Sequence, residues 1–464
     1  MIKTLDRFLS EKEEIREAFR IARGGGSAVV VAPPGYGKTL QAARELASEA
    51  RFLYIARTHN ELDTFLEHYR RGGGGSVVRA YGMDEVCYKR EPGDPTTFEK
   101  FCRIMRLSGK CDTAVTEQRI RAVYGAQFSG SQAIRERARE IGACLYPSLA
   151  RLVETSPRVV ATYKYAIHHP QIISRDRIRV FDEYHSIISM YEEAVRPISR
   201  ERLSEVSRIV SSHARESADY ELYRLAYGLK KERDLSALAE IASAIYEKIG
   251  GRAPEEIQIL MRCRKICFEH GGSIYAVVGG YPFTDMDRSV YMSAVRLGLF
   301  RRAEVIEVGS KPLVRVEIMD RYTTEYSSRG DEMYRSIASE IQELVKRHSR
   351  VFIVYQSREV MKAVSPLLGD ARGRIVLEDV AGGIYTEGVE PPPHDLMILV
   401  GAPYPSKSPE VEVLSRVLGV NGYREIARIR AIQAIGRAAR AGARVIAMDR
   451  RFRDLLTGIN WIDV

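Results

Sequence analysis

Residues 32–39 of the 464-residue chain, APPGYGKT, have the types and spacing that hold a nucleoside triphosphate. The segment follows an apolar run at 28–32 and precedes a helical pattern, so its turn would direct backbone N–H groups and a helix N-terminus at phosphate oxygens. In such a turn Lys38 reaches the β- and γ-phosphates, and the hydroxyl of Thr39 binds Mg²⁺. A chance Gly-Lys-Thr turn is disfavoured because strand, loop and helix all occur in the required order. The predicted nucleotide-binding residues are Pro34, Gly35, Tyr36, Gly37, Lys38, Thr39 and Leu40.

A second candidate group is the acidic pair Asp182 and Glu183, which follows the apolar run 178–181. Asp182 would bind Mg²⁺, and Glu183 would orient or activate the attacking water in ATP hydrolysis. Two adjacent carboxylates at the end of an apolar strand are costly unless a cation offsets them. An ordinary exposed Asp-Glu turn is the alternative, and the phosphate loop upstream makes it the less favoured one.

A third candidate group lies far downstream, in the segment QAIGRAAR at 433–440. Arg437 and Arg440 are three positions apart and would lie on one face of a helix. Two such guanidinium groups can stabilise the charge on a transferring phosphate, while Gly436 lets the backbone pack closely. A solvated basic helix face is the alternative. The spacing of Gln433 with both arginines favours the catalytic interpretation.

Six cysteines are present: Cys87, Cys102, Cys111, Cys144, Cys263 and Cys267. In a cytosolic enzyme, spaced cysteines are more often metal ligands or core residues than disulfides, although some thermophile proteins are exceptions. Four thiolates can hold an iron–sulfur cluster or zinc, and the lack of a Cys-x-x-Cys pair disfavours zinc. Buried small hydrophobic residues are the remaining alternative for the first four. Cys263 and Cys267, four positions apart in a helical pattern, are predicted to be core residues.

The elements that must position these residues follow from the apolar pattern. Short apolar runs alternate with helical segments, which predicts parallel sheets with right-handed crossovers. Strands are predicted at 28–32, 52–56, 158–162, 178–181, 274–278, 289–293, 351–355, 374–377, 396–400 and 444–448. From about residue 196 to 269 the pattern is helical, charged and free of strand signals. We therefore predict an α/β fold with two parallel-sheet lobes, the first of which carries two insertions.

The predicted boundaries divide the chain at residues where the pattern changes. They are 1–80, 151–195 and 273–310 for the first lobe, 81–150 for the cysteine-bearing insertion, 196–272 for the helical insertion, and 311–464 for the second lobe.

Composition limits the class of protein. The formal net charge of +10 suits a polyphosphate partner, because Lys and Arg that neutralise phosphates release counterions, although this excess alone is weak evidence. No run of eighteen apolar residues and no secretion signal is found, so we expect a cytoplasmic protein without a membrane partner.

Together the three motifs resemble those of superfamily 2 helicases, and further segments resemble the XPD family of iron–sulfur DNA helicases. RTHNELD at 57–63 resembles the family's DNA-contacting motif Ia, and YMSAVRLG at 291–298 resembles its coupling motif. Three more segments also resemble the family and occur in its order: ATYKYAIHHP at 161–170, YTEGVE at 385–390 and MDRRFRDLLTGINW at 448–461. The resemblance extends over nearly the whole chain.

The resemblance implies two RecA-like motor lobes in a monomer that hydrolyses ATP, moves 5′→3′ on single-stranded DNA, unwinds forked duplexes and acts in DNA repair. It implies a [4Fe–4S] cluster held by Cys87, Cys102, Cys111 and Cys144, and an arch-like role for the helical insertion. It assigns DNA contact or coupling to Arg57, Thr58, His59, His185, Ser293, Glu387 and Gly388. Further residues suit DNA contact or form a solvated basic face: Lys89, Arg90, Phe101, Arg103 and Arg106.

The sequence departs from the family pattern at several positions. Tyr184 stands where the acidic box has alanine, and Val295 replaces a hydroxyl residue of the coupling motif. Ala32 replaces the first glycine of the phosphate loop, and Glu390 stands where aspartate is usual. None of these changes removes a residue that handles phosphates, so ATP hydrolysis is the main prediction. A DNA-binding remodelling module with a weakened motor and an RNA-directed helicase are the alternatives.

Overall fold

The computed structural model describes residues 12–90, 101–102, 105, 108–127, 130–188, 195–262, 267–277, 283–309, 312–387 and 389–464. The strands in these ranges are β1 Ser27–Val31, β2 Phe52–Ala56, β3 Val78–Arg79, β4 Arg158–Thr162, β5 Ile178–Phe181, β6 Val195–Ser199, β7 Cys267–His270, β8 Ser273–Val277, β9 Ser289–Ser293, β10 Glu304–Glu307, β11 Val314–Ile318, β12 Val351–Tyr355, β13 Ile375–Val380, β14 Leu396–Val400, β15 Arg444–Met448 and β16 Ile462–Asp463.

The α-helices of the described ranges are α1 Glu13–Arg23, α2 Lys38–Ala47, α3 His59–Arg71, α4 Met83–Val86, α5 Glu117–Ala126, α6 Ser131–Ile141, α7 Tyr146–Thr155, α8 Tyr163–His168, α9 Arg200–Ser217, α10 Tyr220–Lys231, α11 Leu235–Ile249, α12 Glu255–Arg262, α13 Asp331–Lys346, α14 Arg358–Val364, α15 Ile384–Glu387, α16 Pro409–Leu418, α17 Gly422–Ala441 and α18 Phe452–Leu456. Short 3₁₀ segments occur at Pro170–Ile172, Tyr184–Ser186, Gly250–Arg252, Tyr326–Ser328 and Ser365–Arg374.

Two parallel sheets dominate the fold, which confirms the predicted α/β class. A seven-stranded sheet has the order β10-β1-β9-β5-β2-β4-β3, and a six-stranded sheet has the order β13-β12-β14-β15-β11-β16. Phe52 of β2 lies opposite both Arg158 of β4 and Ile178 of β5. Strands such as β2 and β12 are buried at every position, as expected where helices cover both faces of a parallel sheet.

The chain divides into two compact units. The first unit comprises the described residues of 1–41, 183–189 and 290–464, and the second comprises those of 42–182 and 190–289. The first unit therefore contains the phosphate loop, Glu183, the coupling motif and the whole predicted second lobe. The second unit contains the cysteine-bearing region and the helical insertion.

The helical insertion differs from the prediction in one respect, because it also contains strands. β6, β8 and β7 form an antiparallel sheet in which Val195 pairs with Val277 and Cys267 with Ala276. In β6 the side chains of Arg196 and Pro197 are exposed while Val195 and Ile198 are buried, so no continuous apolar run marks the strand. The prediction of a purely helical segment was therefore wrong, and Cys267 belongs to a strand rather than a helix. Cys263 lies outside the described residues.

The carboxylate of Asp449, just after β15, ties together three segments of the first unit. It is fully buried and accepts hydrogen bonds from the N–H of Thr324 at 2.9 Å, the N–H of Ala402 at 3.3 Å and the guanidinium of Arg451 at 2.7 Å. Burial alone would raise the pKa of Asp449, but Arg451 and the Thr324 N–H outweigh it and lower that pKa. We refer to these four residues as the Asp449 cluster.

Trp461, the only tryptophan of the chain, closes the same unit near its last strand. Its side chain is fully buried, and its indole N–H donates to the carbonyl of Ala294 at 3.1 Å. The end of the chain is thereby bonded directly to the coupling motif, since Ala294 follows Ser293. Among the described residues, no helix is long and apolar enough to span a membrane.

Candidate nucleotide-binding site

The predicted phosphate loop connects the buried strand β1 to α2, which begins at Lys38. Gly35 and Gly37 have φ angles of +77° and +92°, a region that side chains disfavour, so the turn requires glycine at both positions. Lys38 is only 5% exposed, and its Nζ donates to the carbonyls of Ala32 at 3.1 Å and Pro33 at 3.2 Å. The lysine thus lies folded against the loop, where a phosphate oxygen could replace these carbonyls.

Tyr36 of the same loop is held by the helix that precedes β1. Its hydroxyl donates to Oε2 of Glu14 at 2.6 Å, and Lys12 Nζ lies 4.7 Å from the centre of its ring. Burial and the Glu14 carboxylate raise the pKa of Tyr36. The sequence predicts Tyr36 as a nucleotide contact but does not indicate its partner Glu14, because a single acidic residue on an amphipathic helix has no distinctive pattern.

Glu183 adopts a left-handed backbone conformation (φ 48°, ψ 46°), which is uncommon for a residue with a side chain and typical of strained functional positions. Its carboxylate lies 3.4 Å from Lys38 Nζ and 3.1 Å from His185 Nε2. The Glu183 side chain is 33% exposed. Burial would raise the pKa of Glu183, but the charges of Lys38, His185 and Arg440 outweigh it and lower that pKa. Glu183 is therefore held ionised, as a base requires.

His185 links this carboxylate to the coupling motif. The imidazole is 1% exposed, and its Nδ1 lies 3.2 Å from Ser293 Oγ and 3.4 Å from the Ala294 N–H. The Ser293 hydroxyl also donates to the carbonyl of Val295 at 2.6 Å. Val295, which stands where the family pattern has a hydroxyl residue, therefore still joins this hydrogen-bond network through its backbone carbonyl.

Tyr184, the other departure in the acidic box, is fully buried in an aromatic group. Its ring centre lies 4.9 Å from that of Tyr291 and 5.1 Å from that of Phe300. Offset and edge-on contacts at these distances are favourable for aromatic rings. The rings of Tyr291 and Phe300 accommodate the Tyr184 side chain, which is larger than the alanine of the family pattern. The acidic box still directly follows β5.

Asp182 is held by two tyrosines that sequence reasoning missed. The Tyr54 hydroxyl donates to its Oδ2, and the Tyr163 hydroxyl donates to its backbone carbonyl at 2.8 Å. Asp182 is 3% exposed and both tyrosines are fully buried. A tyrosine inside the otherwise hydrocarbon run FLYIA was the available signal, because a buried phenol needs a hydrogen-bond partner.

The arginines of the segment 433–440 lie on α17, whose backbone approaches the phosphate loop. A Cβ added at Gly436 would lie 2.9 Å from Pro34 Cγ, so only glycine fits there without a shift. Arg437 Nη1 and Arg440 Nη2 lie 3.0 Å and 3.6 Å from the same oxygen, Oε2 of Glu390. We refer to Glu390, Arg437 and Arg440 as the Glu390 cluster.

The Glu390 cluster is joined to the motif YTEGVE and to the acidic box. Arg437 Nε donates to the carbonyl of Thr386 at 3.4 Å, and Arg440 is close enough to lower the pKa of Glu183. Gln433 lies one turn before Arg437 on the partly exposed face of α17. Lys38, Glu183 and Arg440 therefore belong to one charged group within the first unit.

The predicted DNA-contact residues of motif Ia have structural partners of their own. The Thr58 hydroxyl caps α3 by accepting from the Glu61 N–H at 3.3 Å, and the Glu61 carboxylate accepts from the Thr58 N–H at 3.1 Å. His59 Nε2 lies 2.9 Å from Glu85 Oε1. This capping box fixes the start of α3. Gly388 and the predicted contacts Arg103 and Arg106 lie outside the described residues, as does the side chain of Glu387.

The cysteines of the region 81–150 are free thiols in the second unit, each partly exposed. The N–H of Cys144 donates to the carbonyl of Asp112, which follows Cys111, at 2.9 Å. Burial and then the neighbouring Cys111 and Cys87 raise the pKa of Cys144 to about 12. A thiol in this environment stays protonated at neutral pH.

Cys102 Sγ lies 3.3 Å from Sδ of Met83, four residues before Cys87. In the part of the chain that the structure describes, no group of three or more His, Cys, Asp or Glu side chains is positioned to hold a metal ion. The four cysteines supply the sulfur donors that an iron–sulfur cluster needs. They lie in one region of the chain, but their described side chains are not arranged as a complete ligand set.

Comparison with solved structures identifies the fold. A solved XPD helicase is 17% identical, with a TM-score of 0.62 over 98% of this chain and 97% of that one. An apo XPD structure is 15% identical, with a TM-score of 0.53 over 98% and 100% of the two chains. Xpd4 of S. tokodaii is 16% identical, with a TM-score of 0.53 over 97% and 98%. The chain has the fold of the XPD helicases.

This likeness extends over nearly the full length of both chains, although sequence identity is low. No protein-family model and no curated protein sequence matches the chain. The XPD fold therefore supports the interpretation of the sequence motifs at the level of architecture.

Proposed function

We propose that the chain is an ATP-dependent DNA helicase that moves 5′→3′ along single-stranded DNA and unwinds forked duplexes, with DNA repair as its setting. The observation that carries the proposal is the charged group made by Lys38, Glu183 and Arg440. It combines a phosphate-binding lysine, an ionised carboxylate and a guanidinium from a distant part of the sequence. These are the parts that phosphoryl transfer requires.

In the proposed reaction a water molecule attacks the γ-phosphorus of ATP and the bond to the β-phosphate oxygen breaks. Glu183, which its lowered pKa keeps ionised at neutral pH, orients the water and accepts its proton. Lys38 leaves the carbonyls of Ala32 and Pro33 and binds the β- and γ-phosphates. Mg²⁺, held by Thr39 and Asp182, would neutralise phosphate charge. Asp182 is oriented for this role by the hydroxyl of Tyr54.

Arg437 and Arg440 would exchange one anion for another during each cycle. In the structure both contact Glu390. In the proposed cycle their guanidinium groups would turn to the γ-phosphate of bound ATP. His185 and Ser293 would transmit the state of Glu183 to the DNA-binding surface. Movement requires that the affinity for DNA differ between the two nucleotide states.

A [4Fe–4S] cluster held by Cys87, Cys102, Cys111 and Cys144 is part of the proposal. The proximity of Cys144 to Cys111 and Cys87 supports it, and so does the long spacing of the four residues. The cluster would stabilise the region 81–150 as a structural clamp beside the DNA path. The DNA contacts of Arg57, Thr58 and His59 remain proposals of the same kind.

A DNA-binding module with a weakened motor is the second candidate, and the altered coupling motif motivates it. The contacts of Ser293 with His185 and with the Val295 carbonyl favour the motor, because they preserve a continuous path from Glu183. An RNA-directed helicase is the third candidate. Turnover with DNA, with RNA and without nucleic acid distinguishes all three.

The central experiment measures ATP hydrolysis and unwinding of forked duplexes with a 5′ or a 3′ single-stranded tail. We expect hydrolysis to be stimulated by single-stranded DNA, unwinding only with the 5′ tail, and loss of both in Lys38→Ala. Lys346→Ala, which removes a lysine from an exposed ion pair with Glu343, is the matched control and should act as the wild type. Hydrolysis retained in Lys38→Ala contradicts the site, and hydrolysis without DNA stimulation contradicts the motor.

The cluster is tested separately by its iron. Protein purified without oxygen should contain about four irons per chain. Cys144→Ser should lose most of this iron, whereas Cys267→Ser, outside the proposed ligand set, should keep it. Stoichiometric zinc in place of iron contradicts the cluster.

A further inference from the structure

Helix α10 in the helical insertion exposes three tyrosines on one face. Tyr220, Tyr223 and Tyr227 are 80%, 44% and 52% exposed, and their spacing of three and four residues places them one above another along the helix. The opposite face is buried in the core of the insertion through Leu222, Ala226 and Leu229. The tyrosines are therefore not needed to complete that core, and their exposure calls for another explanation.

The same face carries positive charge. Arg224, Lys230 and Lys231 are exposed, and the Nζ of Lys231 lies 4.6 Å from the centre of the Tyr227 ring. At helical spacing these three cations lie beside or between the tyrosines. A cation over an exposed ring is held weakly, so Lys231 can turn from the Tyr227 ring to an anion.

The acidic residues at the ends of α10 are already engaged. Glu221, the one acid within the helix, and Asp219, its N-cap, both contact Lys248 Nζ, at 2.8 Å and 3.3 Å. Beyond the helix, Glu232 Oε1 accepts from the N–H groups of Arg233 and Asp234. Within the described ranges, no acidic side chain pairs with Arg224, Lys230 or Lys231. The face therefore presents aromatic rings and cations, which complement a ligand with bases and phosphates.

The spacing of the three tyrosines along the helix favours a single strand over a duplex as the ligand. With the rise of an α-helix, Tyr223 lies about 4.5 Å from Tyr220 along the axis, and Tyr227 lies about 6 Å further. Both steps exceed the roughly 3.4 Å between successive nucleotides of one duplex strand. Rings at this separation fit bases that have been unstacked, as in an extended single strand.

We propose that this tyrosine face, formed by Tyr220, Tyr223, Tyr227, Arg224, Lys230 and Lys231, binds single-stranded nucleic acid outside the nucleotide site. The rings stack on successive bases and the cations bind the phosphates between them. The choice of nucleic acid as ligand rests on the proposed helicase function, but the face binds without ATP.

Binding is measured without nucleotide, by the fluorescence anisotropy of a labelled single-stranded DNA oligonucleotide and of an abasic strand of the same length. Replacing all three tyrosines by alanine should weaken binding of the base-containing strand by about tenfold or more. The abasic strand should be affected far less. The triple Tyr→Phe variant should bind as the wild type, because phenylalanine keeps the stacking surface. Tyr326→Ala, which removes another exposed tyrosine, is the matched control.

The cations are tested by salt dependence. Arg224→Ala and Lys230→Ala should each lower the slope of log K against log salt by about 0.7, the value for one phosphate contact on a single strand. An unchanged slope in both variants contradicts the phosphate contacts.

Photocrosslinking locates the contact directly. A strand carrying 5-iodouracil should crosslink to a peptide that contains Tyr220, Tyr223 or Tyr227. Absence of this crosslink together with unchanged affinity in the triple alanine variant overturns the proposal and leaves a protein-binding surface as the explanation of the face.

ATP hydrolysis, measured beside DNA binding in the chain with Lys38 intact, separates this inference from the motor. If that chain shows no DNA-stimulated hydrolysis but still loses affinity for DNA when the tyrosines are replaced, the helicase proposal alone is contradicted. A DNA-stimulated motor whose binding ignores the tyrosines contradicts this inference alone.

Discussion

Two groups in the first unit pair carboxylate with guanidinium, and they do so in opposite settings. In the Asp449 cluster the carboxylate is fully buried and Arg451 is 17% exposed. In the Glu390 cluster the Glu390 side chain is 62% exposed and its partners Arg437 and Arg440 are 14% and 35% exposed. The residue chemistry is the same, but the carboxylate of Asp449 is closed to water whereas Glu390 and Arg440 are accessible to it.

The difference decides what each pair can do. A buried pair that loses one partner leaves an uncompensated charge, so the Asp449 cluster is permanent and holds the unit together. An exposed pair is worth little and is screened by salt, so the Glu390 cluster can open at low cost. The guanidinium groups that we propose move to a phosphate, those of Arg437 and Arg440, belong to the second setting.

The largest expected effect comes from removing a guanidinium of the Glu390 cluster. Arg440→Ala should lower kcat for ATP hydrolysis by about a thousandfold, as for other arginines that contact a transferring phosphate. Its thermal stability should change little, because the side chain is 35% exposed. Steady-state ATPase kinetics and a melting curve measure the two quantities.

Arg416→Ala is the control for this substitution, because it removes an arginine from an exposed ion pair with Glu412 in the same unit. It should leave kcat unchanged. If Arg440→Ala keeps wild-type turnover, the assignment of the Glu390 cluster to catalysis is wrong.

The next effect concerns stability rather than catalysis. Asp449→Asn should lower the free energy of unfolding by about 3 kcal/mol at neutral pH, because a buried pair loses one charge. The folded pKa of Asp449 lies below its ordinary value, so its contribution is complete above that value and is lost as the pH falls towards the folded pKa. The gap between wild type and variant should therefore narrow below about pH 4.

Urea unfolding at several pH values measures this gap. Asp320→Asn, which breaks an exposed pair with Arg453 in the same unit, should change stability much less at every pH. A gap that stays constant into acid would show that the loss comes from packing and not from the charge of Asp449.

The smallest effect is expected from Glu390→Gln. Without the competing carboxylate the two arginines are free for ATP, so the KM for ATP should fall by about two- to fivefold at low salt, and less at high salt. Glu390→Asp, which keeps the charge, should behave as the wild type. Glu317→Gln, which breaks an exposed pair with Arg444, is a control that should leave KM unchanged. A higher KM in Glu390→Gln would mean that Glu390 positions the arginines instead of competing for them.

Much of the fold could be predicted because a buried parallel strand is a continuous apolar run. The strands β2, β4, β5, β12, β14 and β15 begin and end where the sequence predicts. The strands that were missed lack such a run: β6 contains Arg196 and Pro197, and β10 reads Glu-Val-Ile-Glu. Edge and antiparallel strands need fewer apolar residues, so their pattern is weaker.

The residues of the site were predictable where one short segment carries several of them, as at 32–39 and 182–185. Their partners were not. Glu14, Tyr54 and Glu390 act on Tyr36, Asp182 and the arginines through contacts between distant parts of the chain. Such a pair has no characteristic spacing in the sequence, and a single Glu or Tyr is too common to indicate a partner. The sequence indicates the residues that we propose to touch a ligand, and the structure adds the residues that hold them.

The bond between Trp461 and the Ala294 carbonyl has a practical consequence. Since the chain has one tryptophan, its emission comes from a single buried indole bonded to the residue after Ser293. Any rearrangement of that segment during turnover would alter the polarity around this fluorophore. The molecule therefore contains an intrinsic optical probe beside the path from Glu183 to Ser293, which allows stopped-flow recording without an added label.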